Sequence, residues 1–229
     1  MTEIAKQPAE TMLPVHEQVY RRVRDLLLFG ELPPGAPVTI QGLTEGLDVG
    51  MTPVREAIRR LTAEGALSFQ GNRRVSVPVL DAGAISELIH ARVAIEPELT
   101  RRACRVATSG DIAALAAIDD RLDLAISQGD VRGYLEQNYR FHLHLYGLAQ
   151  APILQELAEG LWLRFGPSLR VVCGRYGTQN LPDQHKAILT AMAQGDASAA
   201  AKAMEEDVRQ GIAQFWRRWH KLACGGAAC

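Results

Sequence analysis

Asn138 and His142 lie four residues apart, so on a helix both side chains leave from one face. An amide oxygen and an imidazole nitrogen are donors that can line a polar cavity or coordinate a divalent cation. His144 stands about 200° around the helix from His142 and cannot join that face. His185 and Asp207 come later in the chain and would reach such a site only from other helices. Spacing alone leaves two outcomes open: a metal site assembled from several helices, or a hydrogen-bonded cavity without metal.

Arginine supplies the second kind of chemistry. The 229 residues hold 25 Lys+Arg against 26 Asp+Glu, a formal net charge of -1, which argues against a generic polyanion binder. Of the 25 basic residues 21 are Arg, the residue of planar, bidentate recognition, so their placement matters more than their total. Residues 51–76 contain five Arg against Glu56 and Glu64, a local charge of +3. Residues 81–229 are close to neutral. The positive charge is local and sits in the N-terminal third.

The elements that must position these arginines can be read from periodicity. Val19, Val23, Leu26 and Leu27 give a helix over 16–29, closed by Gly30. Pro33-Pro34-Gly35 is a turn, and Thr39 caps a second helix carrying Ile40, Leu43 and Leu47. Thr52-Pro53 reads as the N-cap and first residue of a third helix, with Val54, Ile58 and Leu61 inward and Arg55 and Arg59 sharing an outer face. Leu67–Phe69 and Val75–Val77 alternate around Gly71-Asn72-Arg73-Arg74, which predicts a hairpin with a basic tip. Three helices and a two-stranded wing make a winged helix-turn-helix. Arg55 and Arg59 could then reach guanine edges or phosphates in a major groove, with Arg73 and Arg74 near the backbone or minor groove.

At this point a resemblance becomes specific. GELPPG (30–35), TPVREAIRRLTAEGAL (52–67) and NRRVSV (72–77) resemble the DNA-binding domain of the GntR family of bacterial transcription regulators. The resemblance implies DNA contact through Thr52, Arg55, Arg59, Arg73 and Arg74. Two positions depart from the family pattern: Gly50-Met51 stands where Ser-Arg is usual, and Arg74 where Gly is usual.

Beyond Pro78 the pattern is helical, with candidate helices at 84–107, 111–128, 131–149, 152–172, 182–194 and 196–220. Six helices joined by short turns indicate an antiparallel bundle, so the fold class is mainly α. Arg101, Arg102 and Arg105 near the end of the first of them suit its C-terminal dipole. Arg92 lies four residues before Glu96 and can pair with it on the helix. Trp162, Phe165 and Tyr176 are aromatic core candidates that could also line a pocket.

Residues 84–220 resemble the helical ligand-binding domain of the FadR subfamily, the FCD type, through Arg92–Glu96, Asn138–His142, and His185 onward with Gly195-Asp196 leading to Met204. The resemblance implies a divalent metal on Asn138, His142, His185 and Asp207, with Asp207 standing where a fourth His is expected. Two nitrogen and two oxygen donors are compatible with zinc, nickel or manganese. It also implies that Arg92 anchors the carboxylate of a small effector, a pairing the bidentate guanidinium suits.

The expected organisation is a disordered segment at 1–14, the winged domain at 15–78, a linker at 79–83, the effector-binding and dimerisation domain at 84–221, and a disordered tail at 222–229. The expected partners are a palindromic double-stranded DNA operator, a small carboxylate-bearing effector and a second copy of the chain in a homodimer. Four widely spaced cysteines form no CxxC pair, the N-terminus is polar, and no run approaches 18 apolar residues. A cytoplasmic protein with no membrane partner and no enzymatic activity is therefore expected. Two rivals come from other classes: a metal-dependent hydrolase in a helical bundle, and a bundle that serves only dimerisation.

Overall fold

A computed structural model of the chain describes residues 13–70, 74–176 and 184–224, with side chains at 13–70, 74–169 and 184–210. Arg73, the side chain of Tyr176, residues 1–12 of the expected N-terminal segment and residues 225–229 of the expected tail lie outside these ranges.

Helix α1 (Val15–Leu28) buries Val19, Tyr20, Val23, Leu27 and Leu28, the stripe its periodicity gives. Strand β1 (Pro37–Val38) follows, then α2 (Ile40–Leu47), whose N-cap Thr39 accepts from the Gly42 N–H. Helix α3 (Met51–Ala63) buries Val54, Ala57, Ile58 and Leu61. Strands β2 (Ser68–Gln70) and β3 (Arg74–Ser76) pair antiparallel with Phe69 opposite Val75.

Three expectations are corrected here. The wing has three strands, because β1 pairs with β3 and gives the order β1-β3-β2. Arg74 consequently opens a strand instead of sitting at the tip. Thr52 does not cap α3, which starts two residues earlier than expected, at Met51 behind the N-cap Gly50. Pro53 falls in the first turn, where its missing N–H would have had no helical partner.

The second body is a bundle of α4 (Ala82–Val106), α5 (Ser109–Gln128), α6 (Val131–Leu148), α7 (Pro152–Tyr176), α8 (Gln184–Ala193) and α9 (Ala197–Cys224). Caps explain several starts. Asp81 accepts from the Ala84 N–H, so α4 begins inside the expected linker. Thr108 and Asp111 form a reciprocal capping box on α5, and Asp130 caps α6 through the Gly133 N–H. Helix α9 runs to Cys224, past the expected helix end at 220, because Lys221-Leu222-Ala223 are good helix formers and the next glycine is Gly225. Pro97 and Pro167 lie inside α4 and α7 without ending them.

Helix α4 packs on α9, α6 and α7, while α5 packs on α6 and α8. The two bodies meet where α1 lies against α7. Contact there is close: a Cβ added at Gly166 would sit 2.7 Å from the Leu28 carbonyl oxygen. Arg164 donates from Nε to the Glu64 carbonyl at 3.0 Å, and Gly65 beside it has a φ of +75°. One hydrophobic core runs through both bodies, from Val19 and Leu61 to Phe165 and Met204.

Candidate functional site

The winged body sorts its arginines by what they touch. Arg60 stacks over the Tyr20 ring at 3.5 Å and pairs with Glu17 and Glu64, each at 3.0 Å. Arg21 also pairs with Glu17, and Arg22 donates to the Leu47 carbonyl. Those side chains hold the body together. Among the described residues no hydrogen bond or ion pair engages Arg55 or Arg74, both exposed, and Arg59 has only Glu56 at 4.0 Å. Thr52 is exposed at the start of the same helix. Arg55 and Arg59 of α3 and Arg74 of β3 line an open groove of about 580 Å³ together with Ile40, Phe69 and Val75. Phe69 is 65% exposed, unusual for a side chain this large and apolar. Helix face, basic strand and apolar floor thus meet in one groove, which alternating hydrophobicity does not reveal.

The helical body gathers a second set of groups. His142 of α6, His185 of α8 and Asp207 of α9 each offer a donor atom, and the three lie within 4.8 Å of one another. His142 Nε2 is 3.2 Å from Asp207 Oδ2 and 3.4 Å from His185 Nε2. Asn138 is buried one turn before His142 on α6, while His144 is exposed as its spacing requires. Burial pushes the His142 pKa below the ordinary 6.5, with the Asp207 hydrogen bond acting in the opposite sense. For Asp207 burial acts to raise the carboxyl pKa, but the hydrogen bond to His142 and the charges of His142, His185 and Arg92 together outweigh it, and the net direction is down. Neutral imidazole beside ionised carboxylate is the protonation state in which such a set can take a cation. Two imidazole nitrogens and a carboxylate oxygen, with the Asn138 amide on the adjoining turn, fit a divalent metal.

Further buried groups surround this set. Arg92 of α4 is 4% exposed and pairs with the fully buried Glu96 through Nε–Oε1 at 2.5 Å and Nη2–Oε2 at 3.2 Å. Of its two sequence readings, the structure contains the internal pair. Burial acts to lower the Arg92 pKa, but the charge and hydrogen bond of Glu96, with Tyr146 and Asp207, together outweigh it and the net direction is up. The Arg92 guanidinium also lies 4.3 Å above the Trp162 ring. Arg101 and Arg102, expected to serve the helix dipole, both pair with Glu98.

Tyr146 and Asp119, which the sequence did not single out, complete the site together with Trp162 and Tyr139. The Tyr146 hydroxyl is 2.9 Å from His142 Nδ1 and receives the Trp162 indole N–H at 3.4 Å. Burial raises the Tyr146 pKa well above its ordinary value, and the Glu96 charge adds to this. Asp119 of α5 lies 3.0 Å from His185 Nδ1. Trp162 bridges outward, with its ring 4.9 Å from His142 and 5.7 Å from Tyr139. Tyr139 in turn accepts from Arg24 of α1 at 2.6 Å.

Comparison with known proteins matches both bodies. The model of bacterial regulatory proteins of the gntR family fits residues 15–77, and that of the FCD domain fits 87–210. The HTH-type transcriptional regulator McbR of Escherichia coli (strain K12) is 28% identical over 207 residues, covering 89% of this chain and 94% of that protein. The Nta operon transcriptional regulator of Aminobacter aminovorans is 34% identical over 119 residues, 51% of this chain and 55% of that one. The solved structure of E. coli McbR/YncC superposes with a TM-score of 0.85 at 28% identity, covering 91% of this chain and all, 100%, of that chain. With the FCD model spanning more than half of its length behind a matched helix-turn-helix, this chain belongs to the gntR family of bacterial regulatory proteins, in the branch that carries an FCD domain.

Proposed function

We propose that this transcription regulator binds a palindromic operator as a homodimer through Thr52, Arg55, Arg59, Arg73 and Arg74, and releases or engages it in response to a small organic acid. The observation that carries the sensing half is the convergence of the buried His142 and His185 with the half-buried Asp207, within reach of Arg92 and Trp162. In this reading Asn138, His142, His185 and Asp207 hold a divalent metal, with zinc, nickel and manganese all compatible. The metal supplies a Lewis-acidic charge for the effector carboxylate. Arg92 supplies the second anchor. Its pair with Glu96 engages Nε and Nη2, so the Nη1 end of the fork remains for a ligand oxygen.

Signal transfer follows from packing. A ligand between Arg92 and His142 presses on Trp162, which touches Tyr139, which holds Arg24 of the winged body. The ligand shifts the balance between two domain arrangements only by as much as it binds them unequally. The recognition helices of a dimer match their half-sites in only one of these arrangements.

The domain binds its ligand without turning it over, in keeping with relatives that are transcription regulators. Among the described residues no helix is long and apolar enough to cross a membrane, and the reading places the chain in the cytoplasm with its DNA. Metal analysis of the purified protein, followed by a thermal-shift screen of dicarboxylates, hydroxy acids and sugar acids, tests the sensor. An acid that raises the melting temperature only when metal is present is the expected result. Turnover of simple esters, amides or lactones with added zinc would overturn it in favour of a hydrolase. No shift with any metal or acid would leave a dimerisation bundle.

A further inference from the structure

Asp119 is buried to 2% exposure, yet it is not one of the three residues whose donor atoms converge. Its Oδ1 lies 3.0 Å from Nδ1 of His185, a buried contact between α5 and α8. A buried carboxylate accepts hydrogen bonds and donates none, so the hydrogen in this contact belongs to the imidazole. A neutral imidazole carries one N–H. With that hydrogen on Nδ1, the Nε2 lone pair is left free, and Nε2 is the atom that faces His142 Nε2 at 3.4 Å. Partial rotation of the ring would break its stack on Phe141, whose centroid is 3.9 Å away and whose plane is tilted by only 9°, and a full flip would carry Nδ1 away from Asp119.

The opposite tautomer would close the cluster. An N–H at Nε2 would point at His142 and Asp207 and occupy the space where the three donors converge. We infer that Asp119 is the positioning residue of the cluster: it holds His185 as the Nδ1–H tautomer and so turns the Nε2 lone pair toward His142 and Asp207. The consequence for metal rests on the cation reading above, since a carboxylate behind a ligating histidine raises its basicity and fixes its aim. The tautomer itself does not depend on metal.

The test separates the two. Long-range nitrogen–proton NMR on the full-length, metal-free protein with labelled histidine reads each ring nitrogen, and His185→Gln assigns the signal. A neutral His185 ring protonated on Nδ1 is expected. Protonation on Nε2, or on both nitrogens, overturns the inference without recourse to any variant. Asp119→Asn keeps the shape but lets an amide N–H face Nδ1, so the Nδ1–H preference should be lost and zinc affinity should fall roughly 10- to 100-fold by titration calorimetry. An Asp119→Asn protein with the wild-type tautomer and wild-type zinc affinity also overturns it. If wild type shows the Nδ1–H ring but takes up no zinc, the positioning role stands and the metal reading falls.

Discussion

The Arg24 guanidinium of α1 donates to the Tyr139 hydroxyl at 2.6 Å and reaches Glu159 of α7 at 3.2 Å. Tyr139 lies next to Asn138 on the helix that carries His142, and its ring meets Trp162 edge-on. The winged body is therefore one tyrosine away from the buried cluster.

Removing that hydroxyl should take away the polar link from the cluster to α1 while leaving both bodies, and the backbone contact between them, intact. Tyr139→Phe is expected to keep metal and to bind the operator within about threefold of wild type. The effector-induced change in operator affinity should shrink from the usual 5- to 150-fold toward unity. Fluorescence anisotropy with and without effector measures this, and an unchanged response would break the proposed connection.

Arg55 and Arg60 make a contrasting pair on α3. Arg55→Ala should cost about 1–3 kcal/mol of specific operator binding with no change in melting temperature, because nothing in the fold engages it. Arg60→Ala should lower the melting temperature by several degrees, since it removes the Tyr20 stack and two ion pairs at once. Footprints of Arg55→Ala identical to wild type would show that the recognition helix is misplaced.

His142 is fully buried at the centre of the candidate metal site. His142→Ala should lose bound metal by elemental analysis and lose the effector response, while an operator fragment is still retarded in a gel. Loss of DNA binding with metal retained would contradict the division of labour between the bodies.

Alkaline pH should loosen the joint between α1 and α3. Burial first, and then the hydrogen bond to Glu64, push the Tyr20 pKa from 10.0 up to about 12. The folded state favours the protonated phenol, so this contribution is complete below pH 10 and is lost as pH rises through about 12. Melting temperatures across that window should fall more steeply for wild type than for Tyr20→Phe, which has no phenol to titrate.

Much of the site was legible because its signals are local. The four-residue step from Asn138 to His142 and the outward pair Arg55 and Arg59 follow from helix geometry alone, and the structure keeps those faces. Other features depend on packing that no short window contains. Asp119 and Asp120 are adjacent acids on an amphipathic helix, and only the docking of α5 on α8 decides which is buried against a histidine. Tyr139 and Arg24 are 115 residues apart, so their contact has no spacing to read. The start of α3 is not legible because Thr-Pro is a valid cap signal, while Gly50 two residues earlier takes the cap position in extended backbone.

Gly166 faces the Leu28 backbone with no room for a methyl group. Backbone against backbone leaves no compliant layer of side chains at that point to absorb motion. A displacement of α7 must therefore carry the end of α1 with it, and α3 follows because it is packed on α1. In mechanical terms α7 is the handle and the operator-reading surface is the blade, joined at a weld instead of a hinge. Whatever play the dimer uses to change the distance between its two blades has to reside elsewhere.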